Sequence, residues 1–132
     1  MLNESDRNVK HSYEKYCDHQ NYSGYVTSQN WAGPGWYRFI PPAGIRLAQS
    51  PPGFKHCGTF ASGWTNTNLS NLRIGDSCSI DICYDSYKII DGKKVYGDCQ
   101  QQNSGKVSHC GDYLVYYLPN TPACQYRYCG EN

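Results

Sequence analysis

The segment Gly63-Trp64-Thr65-Asn66-Thr67-Asn68 sets an indole beside hydroxyl and carboxamide groups in a short polar stretch. Proteins hold sugars with that set of groups: an aromatic ring lies against the apolar C–H face of the ring, and planar amides, carboxylates or arginine reach its hydroxyls. Trp64, Thr65, Asn66 and Asn68 are therefore the leading candidate ligand-binding residues. Trp31, just ahead of the Gly33-Pro34-Gly35 turn, and the amide-rich Gln100-Gln101-Gln102-Asn103 form a second line. The leading segment also reads as a structural turn in which Trp64 plugs the core and the Asn and Thr side chains satisfy backbone groups. Residue types alone do not choose between the two.

Patterns that would carry catalysis are missing. There is no Gly-x-Ser-x-Gly elbow and no His-Glu-x-x-His pair, and the four histidines, His11, His19, His56 and His109, are dispersed. The expectation is a non-enzymatic protein with no catalytic residue, no metal site and no cofactor. Asp81, Asp85 and Asp91 leave surface calcium open, without a recognisable calcium loop to call for it. With 12 Lys+Arg against 11 Asp+Glu and a net charge of +1, nothing in the charge balance points to nucleic acid or an anionic membrane. No run approaches the roughly 18 apolar residues of a spanning helix, and the polar N-terminus has no apolar leader, so Met1 reads as a start added to a mature fragment.

Eight cysteines with no Cys-x-x-Cys pair form a disulfide framework more readily than a zinc site, which puts the chain in a secretory or extracellular setting. Asn3-Glu4-Ser5, Asn21-Tyr22-Ser23 and Asn68-Leu69-Ser70 make Asn3, Asn21 and Asn68 the glycosylation candidates. Asn120-Thr121-Pro122 lacks the required hydroxyl. Because 13 Tyr stand against only 3 Phe, most large rings carry a hydroxyl that needs water or a partner, as in a thin, half-wet β structure.

The elements that must position these groups are mostly strands. Val9, Tyr13 and Tyr16 fall at helical spacing and permit one short N-terminal helix before Cys17. In Gly35-Trp36-Tyr37-Arg38-Phe39-Ile40, alternation predicts one strand with two packed faces, Trp36 and Ile40 on one and Tyr37 and Phe39 on the other, with Arg38 paired or stacked. Residues 49–70 read as a long irregular segment stapled at Cys57. Asp91-Gly92 predicts a tight hairpin between Tyr87-Lys88-Ile89-Ile90 and Lys93-Lys94-Val95-Tyr96. A two-residue loop puts Cys83 opposite position 100, and a three-residue loop with a bulge puts it opposite Cys99, so Cys83–Cys99 is a disulfide supported by register. Further strands are expected at residues 112–118 and 124–129.

The succession Gly-Trp-Tyr-Arg-Phe (35–39), Cys-Gly-Thr with Gly-Trp (57–64), Ile-Cys-Tyr (82–84), Cys-Gly-Asp-Tyr-Leu-Val-Tyr-Tyr-Leu-Pro (110–119) and Cys-Gln-Tyr-Arg-Tyr-Cys-Gly (124–130) resembles the ten-cysteine domain of uromodulin and pancreatic secretory granule glycoprotein. The resemblance covers residues 16–130 and implies one domain there, preceded by a polar segment at 1–15. It implies the pairs Cys17–Cys110 and Cys57–Cys129; with Cys83–Cys99, that leaves Cys78–Cys124. The chain departs from the family in lacking cysteines at 26–31 and 48–50, and Cys78 is extra.

The resemblance further implies an extracellular, glycosylated, non-enzymatic module, in uromodulin part of a decoy offering glycans to bacterial adhesins. That role transfers poorly, because residues 116–119, which match the strand bearing the bait glycan, hold no sequon. The fold expected is a small disulfide-stabilised antiparallel β domain with long irregular loops. The function expected is recognition, with a glycan or glycoprotein as partner and carbohydrate binding as the leading mechanism. A matrix module acting through protein contacts, self-association into a homo-oligomer, or a glycan-bearing decoy is the alternative.

Overall fold

A computed structural model describes residues 1–19, 24–123 and 125–132. The centre of the fold is the hairpin of β6 (Ser77–Ile90) and β7 (Lys93–His109). Asp91 and Gly92 take φ of 52° and 76°, the left-handed pair a two-residue turn requires, and Ile90 faces Lys93. The register then breaks: Ser86 pairs with Gly97 but Tyr84 pairs with Gln101, so β7 bulges across Asp98, Cys99 and Gln100. The bulge brings Cys99 within 4.6 Å (Cα–Cα) of Cys83, and the Cys83–Cys99 disulfide closes there.

Around the hairpin stand β3 (Gly35–Tyr37), β5 (Ala61–Thr65), β8 (Leu114–Leu118) and β9 (Tyr126–Tyr128), in a sheet of order β3-β8-β7-β6-β5-β9. All neighbours are antiparallel except β5 and β9. Two small ribbons complete the domain: β1 (Tyr16–Cys17) with β2 (Val26–Thr27), and β4 (Arg46–Leu47) with β10 (Gly130–Glu131). The mostly β expectation holds. In place of a helix at 9–16, the N-terminal segment forms a single 3-10 turn at Ser5–Arg7.

The main core is rich in tyrosine, and the buried hydroxyls of Tyr84, Tyr128 and Tyr116 each find a partner as burial demands. Tyr84 donates to Asn103 Oδ1 (3.1 Å), Tyr128 donates to the Pro119 carbonyl (2.5 Å), and Tyr116 accepts from the Leu47 N–H (3.3 Å). Burial pushes the Tyr116 hydroxyl up to about 12. A second core gathers Ala48, Trp64 and the cysteines of two disulfides, Cys83–Cys99 and Cys57–Cys129.

Two expected pairs are corrected. Cys17 is disulfide-bonded, but Cys78 and Cys110 carry free thiols, so neither Cys17–Cys110 nor Cys78–Cys124 forms. Cys110 follows β7, whereas Cys17 adjoins β9 through the Asp18 N–H on the Tyr126 carbonyl. Three strand spacings separate β7 from β9, roughly 14 Å at ~4.8 Å each, beyond the ~7 Å a disulfide spans. Cys78 packs against the main core from β6, and Cys124 lies outside the described residues.

The polar N-terminal segment packs into the domain. Leu2 is fully buried and exchanges backbone bonds with β3's continuation: its N–H donates to Arg38 O (2.8 Å) and its carbonyl accepts from Ile40 (3.0 Å). Arg7, also fully buried, forms two carboxylate forks. One reaches Asp18 (2.5 and 2.9 Å) and the other Glu4 (2.8 and 3.2 Å). Buried Arg127 closes this network through Glu4 (3.4 Å), Asp6 (3.0 Å) and the Cys57 carbonyl (2.9 Å). Burial alone would raise the Glu4 carboxyl, but the Arg7 charge and hydrogen bonds outweigh it and hold the group at about 2.

Candidate functional site

Beyond the end of β5, residues 66–70 form one wall of an open groove of about 660 Å³; residues 109–114, between β7 and β8, form the other. Asn66, Thr67, Asn68 and Ser70 line it together with His109, Asp112 and Tyr113, and Arg46 and Gln49 add a charge and an amide. The first wall is braced locally. Thr65 Oγ1 donates to the Asp81 carbonyl (2.7 Å) and accepts from the Thr67 N–H (3.2 Å), while Thr67 Oγ1 accepts from the Asp81 N–H (2.9 Å). The Ser70 N–H donates to Asn68 Oδ1 (2.9 Å), which fixes the Asn68 amide in an Asx turn.

The opposite wall is a tight turn. Gly111 takes a φ of 97°, its N–H donates to His109 Nδ1 (3.1 Å), and the Cys110 N–H donates to the Tyr113 carbonyl (2.9 Å). This leaves the Tyr113 ring 38% exposed at the groove. On the ring sits the Arg38 guanidinium, 3.8 Å from the centroid. A smaller cavity of about 250 Å³, lined by Arg38, Ile45, Arg46, Asp112, Tyr113 and Leu114, shares its last four residues with the groove. Arg46 is oriented by its Nε bond to Glu131 (2.8 Å).

The leading candidate Trp64 and the second-line Trp31 both lie outside this groove, Trp31 on a separate cavity of about 340 Å³ with His19, Thr27 and Asn120. Trp64 belongs to β5, a central strand covered on both faces, and is 7% exposed. Its Nε1–H donates to Asp85 Oδ1 (2.7 Å), a buried carboxylate that also accepts from the Cys99 N–H (2.9 Å) and the Gly53 N–H (2.8 Å). Burial pushes the Asp85 carboxyl up, and those donors oppose the shift. Trp31 is 8% exposed and stacks on Tyr37 at 4.8 Å. Trp36, expected to pack, is instead 53% exposed and meets only the edge of Tyr117, because β3 is an edge strand with one face open.

Of the other candidates, Thr65 is buried beneath the groove and Asn66 and Asn68 line it. Within the amide-rich run, Gln101 donates to the Tyr87 carbonyl and Asn103 serves Tyr84, so both act within the sheet. Asn3 is exposed, with its N–H on Asn30; Asn21 lies outside the described residues. Tyr113, Asp112, Arg38 and Arg46 were not among the expected ligand-binding residues. Only the polar Cys-Gly-Asp-Tyr turn at 110–113 could have flagged them, since Arg38 and Tyr113 are brought together by β3 pairing with β8.

A family model described as a uromodulin-like domain matches residues 37–130, an interval that includes both walls of the groove. The chain belongs to the uromodulin-like domain family. The matched interval begins within β3, so Leu2, Arg7 and Asp18, which lock the N-terminal segment, lie outside it. Among curated proteins, the chain is similar to the pancreatic secretory granule membrane major glycoprotein GP2. It is 26% identical to the Rattus norvegicus protein over 97 residues, covering 74% of this chain and 17% of the relative. It is 30% identical to that of Homo sapiens over 96 residues, covering 72% and 16%. It is 29% identical to that of Canis lupus familiaris over 98 residues, covering 74% and 18%. The chain thus spans less than a fifth of the length of these relatives. No helix among the described residues is long and apolar enough to cross a membrane.

Proposed function

We propose that this uromodulin-like domain is a secreted, non-enzymatic recognition module that binds carbohydrate in the groove between residues 66–70 and 109–114. One observation carries the reading: a braced, open groove combines a part-exposed aromatic ring, Tyr113, with the amides of Asn66 and Asn68, the Asp112 carboxylate and the Arg46 guanidinium. A hydroxyl-rich ligand matches this lining better than an apolar one does. Its C–H face covers Tyr113, and its hydroxyls take the place of water on the amides and charges.

A panel of immobilised glycans, probed with and without calcium, tests the reading. A glycan class should bind, and Tyr113→Ala should weaken that binding about tenfold, the scale of one lost ring contact. Absence of binding across the panel, or undiminished binding by the variant, overturns it.

A second reading, recognition of protein or of another copy of the chain, is favoured by the free end of the β6–β7 hairpin. There β5 reaches only to Asp85 and β8 only to Lys106, and Ile89, Ile90, Val95 and Tyr96 are exposed among Lys88, Lys93 and Lys94. Light scattering against concentration separates this reading: a mass that rises with concentration and falls for Ile90→Lys supports it, and a constant monomer mass removes self-association.

A further inference from the structure

The groove's ligand class can be narrowed, on the reading just given, from a guanidinium that the fold leaves incomplete. Four arginines are buried or half-buried, and three meet a carboxylate: Arg7 with Glu4 and Asp18, Arg127 with Glu4 and Asp6, and Arg46 with Glu131. Arg38 has no carboxylate within 4 Å among the described residues. Its Nε is buried and lacks a hydrogen-bond partner among the described residues. One face of its guanidinium rests on Tyr113 at 3.8 Å, which strips water from that face while leaving the planar edge to donate. A buried donor without an acceptor is costly, and a charged one is costlier.

We infer that Arg38, in the smaller cavity adjoining the groove, is the anion-recognising residue of the site and that the natural ligand is a glycan bearing a sugar carboxylate, a sialic or uronic acid. The buried Nε lies out of a ligand's reach, so the carboxylate would take its fork on the terminal Nη1–Nη2 edge of Arg38, the geometry that guanidinium and carboxylate planes share. The sugar ring would lie along Tyr113 and the exposed Ile45, with the rest of the chain running into the larger groove. Asp112 lines both cavities and repels an anion from the part they share, so the carboxylate is held only where the Arg38 guanidinium meets it directly. Arg46, already bound to Glu131 through Nε, supports the anion by charge from the side.

The test is calorimetric titration of the full chain with 3′-sialyllactose, lactose and a hyaluronan tetrasaccharide, repeated with Arg38→Gln. At least one carboxylated sugar should bind about tenfold or more tightly than lactose, and Arg38→Gln should abolish that difference. Whichever carboxylated sugar binds identifies sialate or uronate as the source. In the wild-type protein, which needs no substitution, the Arg38 Nε–H resonance should shift with the carboxylated sugar and stay fixed with lactose. Equal binding of lactose and both acids overturns the inference while the groove reading stands. Absence of binding by all three sugars overturns the inference, and failure of the whole glycan panel overturns the groove reading with it.

Discussion

Arg7 is fully buried and engages Glu4, Asp18 and the Tyr128 carbonyl, whereas Arg38 lies half-buried on the Tyr113 ring and meets no carboxylate among the described residues. The indole and the phenol show the same contrast. Trp64 is enclosed in the second core by Ala48 and the Cys57–Cys129 and Cys83–Cys99 disulfides with its N–H on Asp85, while Tyr113 stands on a turn at the groove. The lesson is that residue type identifies groups able to bind, but leftover capacity identifies groups free to do so. In the N-terminal network the donors are used up inside the fold and the result is structure. At the groove they are left over beside open space, and the result is a site.

The contrast breaks first if the saturated side is not structural. Asp18→Asn removes the fully buried one of Arg7's two carboxylates, leaving Glu4, which Arg127 shares, to balance Arg7, and should cost roughly 3 kcal/mol, read as a shift of the urea midpoint. Trp64→Ala should cost about 3–4 kcal/mol by opening the second core, yet the folded fraction should keep its glycan affinity, measured by titration below the unfolding midpoint.

A smaller effect follows from Glu4. Its folded pKa of about 2 lies below the usual 4.5, so its contribution is fully present above roughly pH 4.5 and is lost as pH falls toward 2. Discounted for solvent screening, that is about 1–2 kcal/mol, and Glu4→Gln should flatten the acid limb of the stability profile by that amount. The smallest change in stability belongs to Ser70→Ala, which removes the sequon at Asn68 and should stay within about 0.5 kcal/mol. In glycosylating cells, a chain attached to Asn68 would crowd the groove, so Ser70→Ala should bind free glycan more tightly than the occupied wild type, with occupancy read by mass spectrometry.

Local chemistry made part of this legible in the sequence. Asp91-Gly92 dictates its own turn, and the Cys83–Cys99 bond follows from a hairpin whose strands are adjacent in sequence. The burial of Trp64 is not legible in its polar neighbours, because the second core that closes on it gathers Ala48, Cys83 and Cys129 from distant parts of the chain. Leu2 and Arg7 carry no periodic signal, since each is a single anchoring residue whose partners, Phe39, Asp18 and Tyr128, lie elsewhere in the chain. Of the site, Asn66 and Asn68 are legible as polar groups in a loop. Arg38 and Tyr113 are not, because only the pairing of β3 with β8 makes them neighbours.

The most direct test of the central claim is amide chemical-shift mapping of the wild-type protein titrated with the best-binding glycan from the panel. The perturbed amides should cluster at residues 66–70 and 109–114 together with Arg38 and Arg46, with the Trp64 indole N–H unmoved. Perturbations centred instead on Trp36 and Tyr117, or on the hairpin end at residues 88–96, would contradict it.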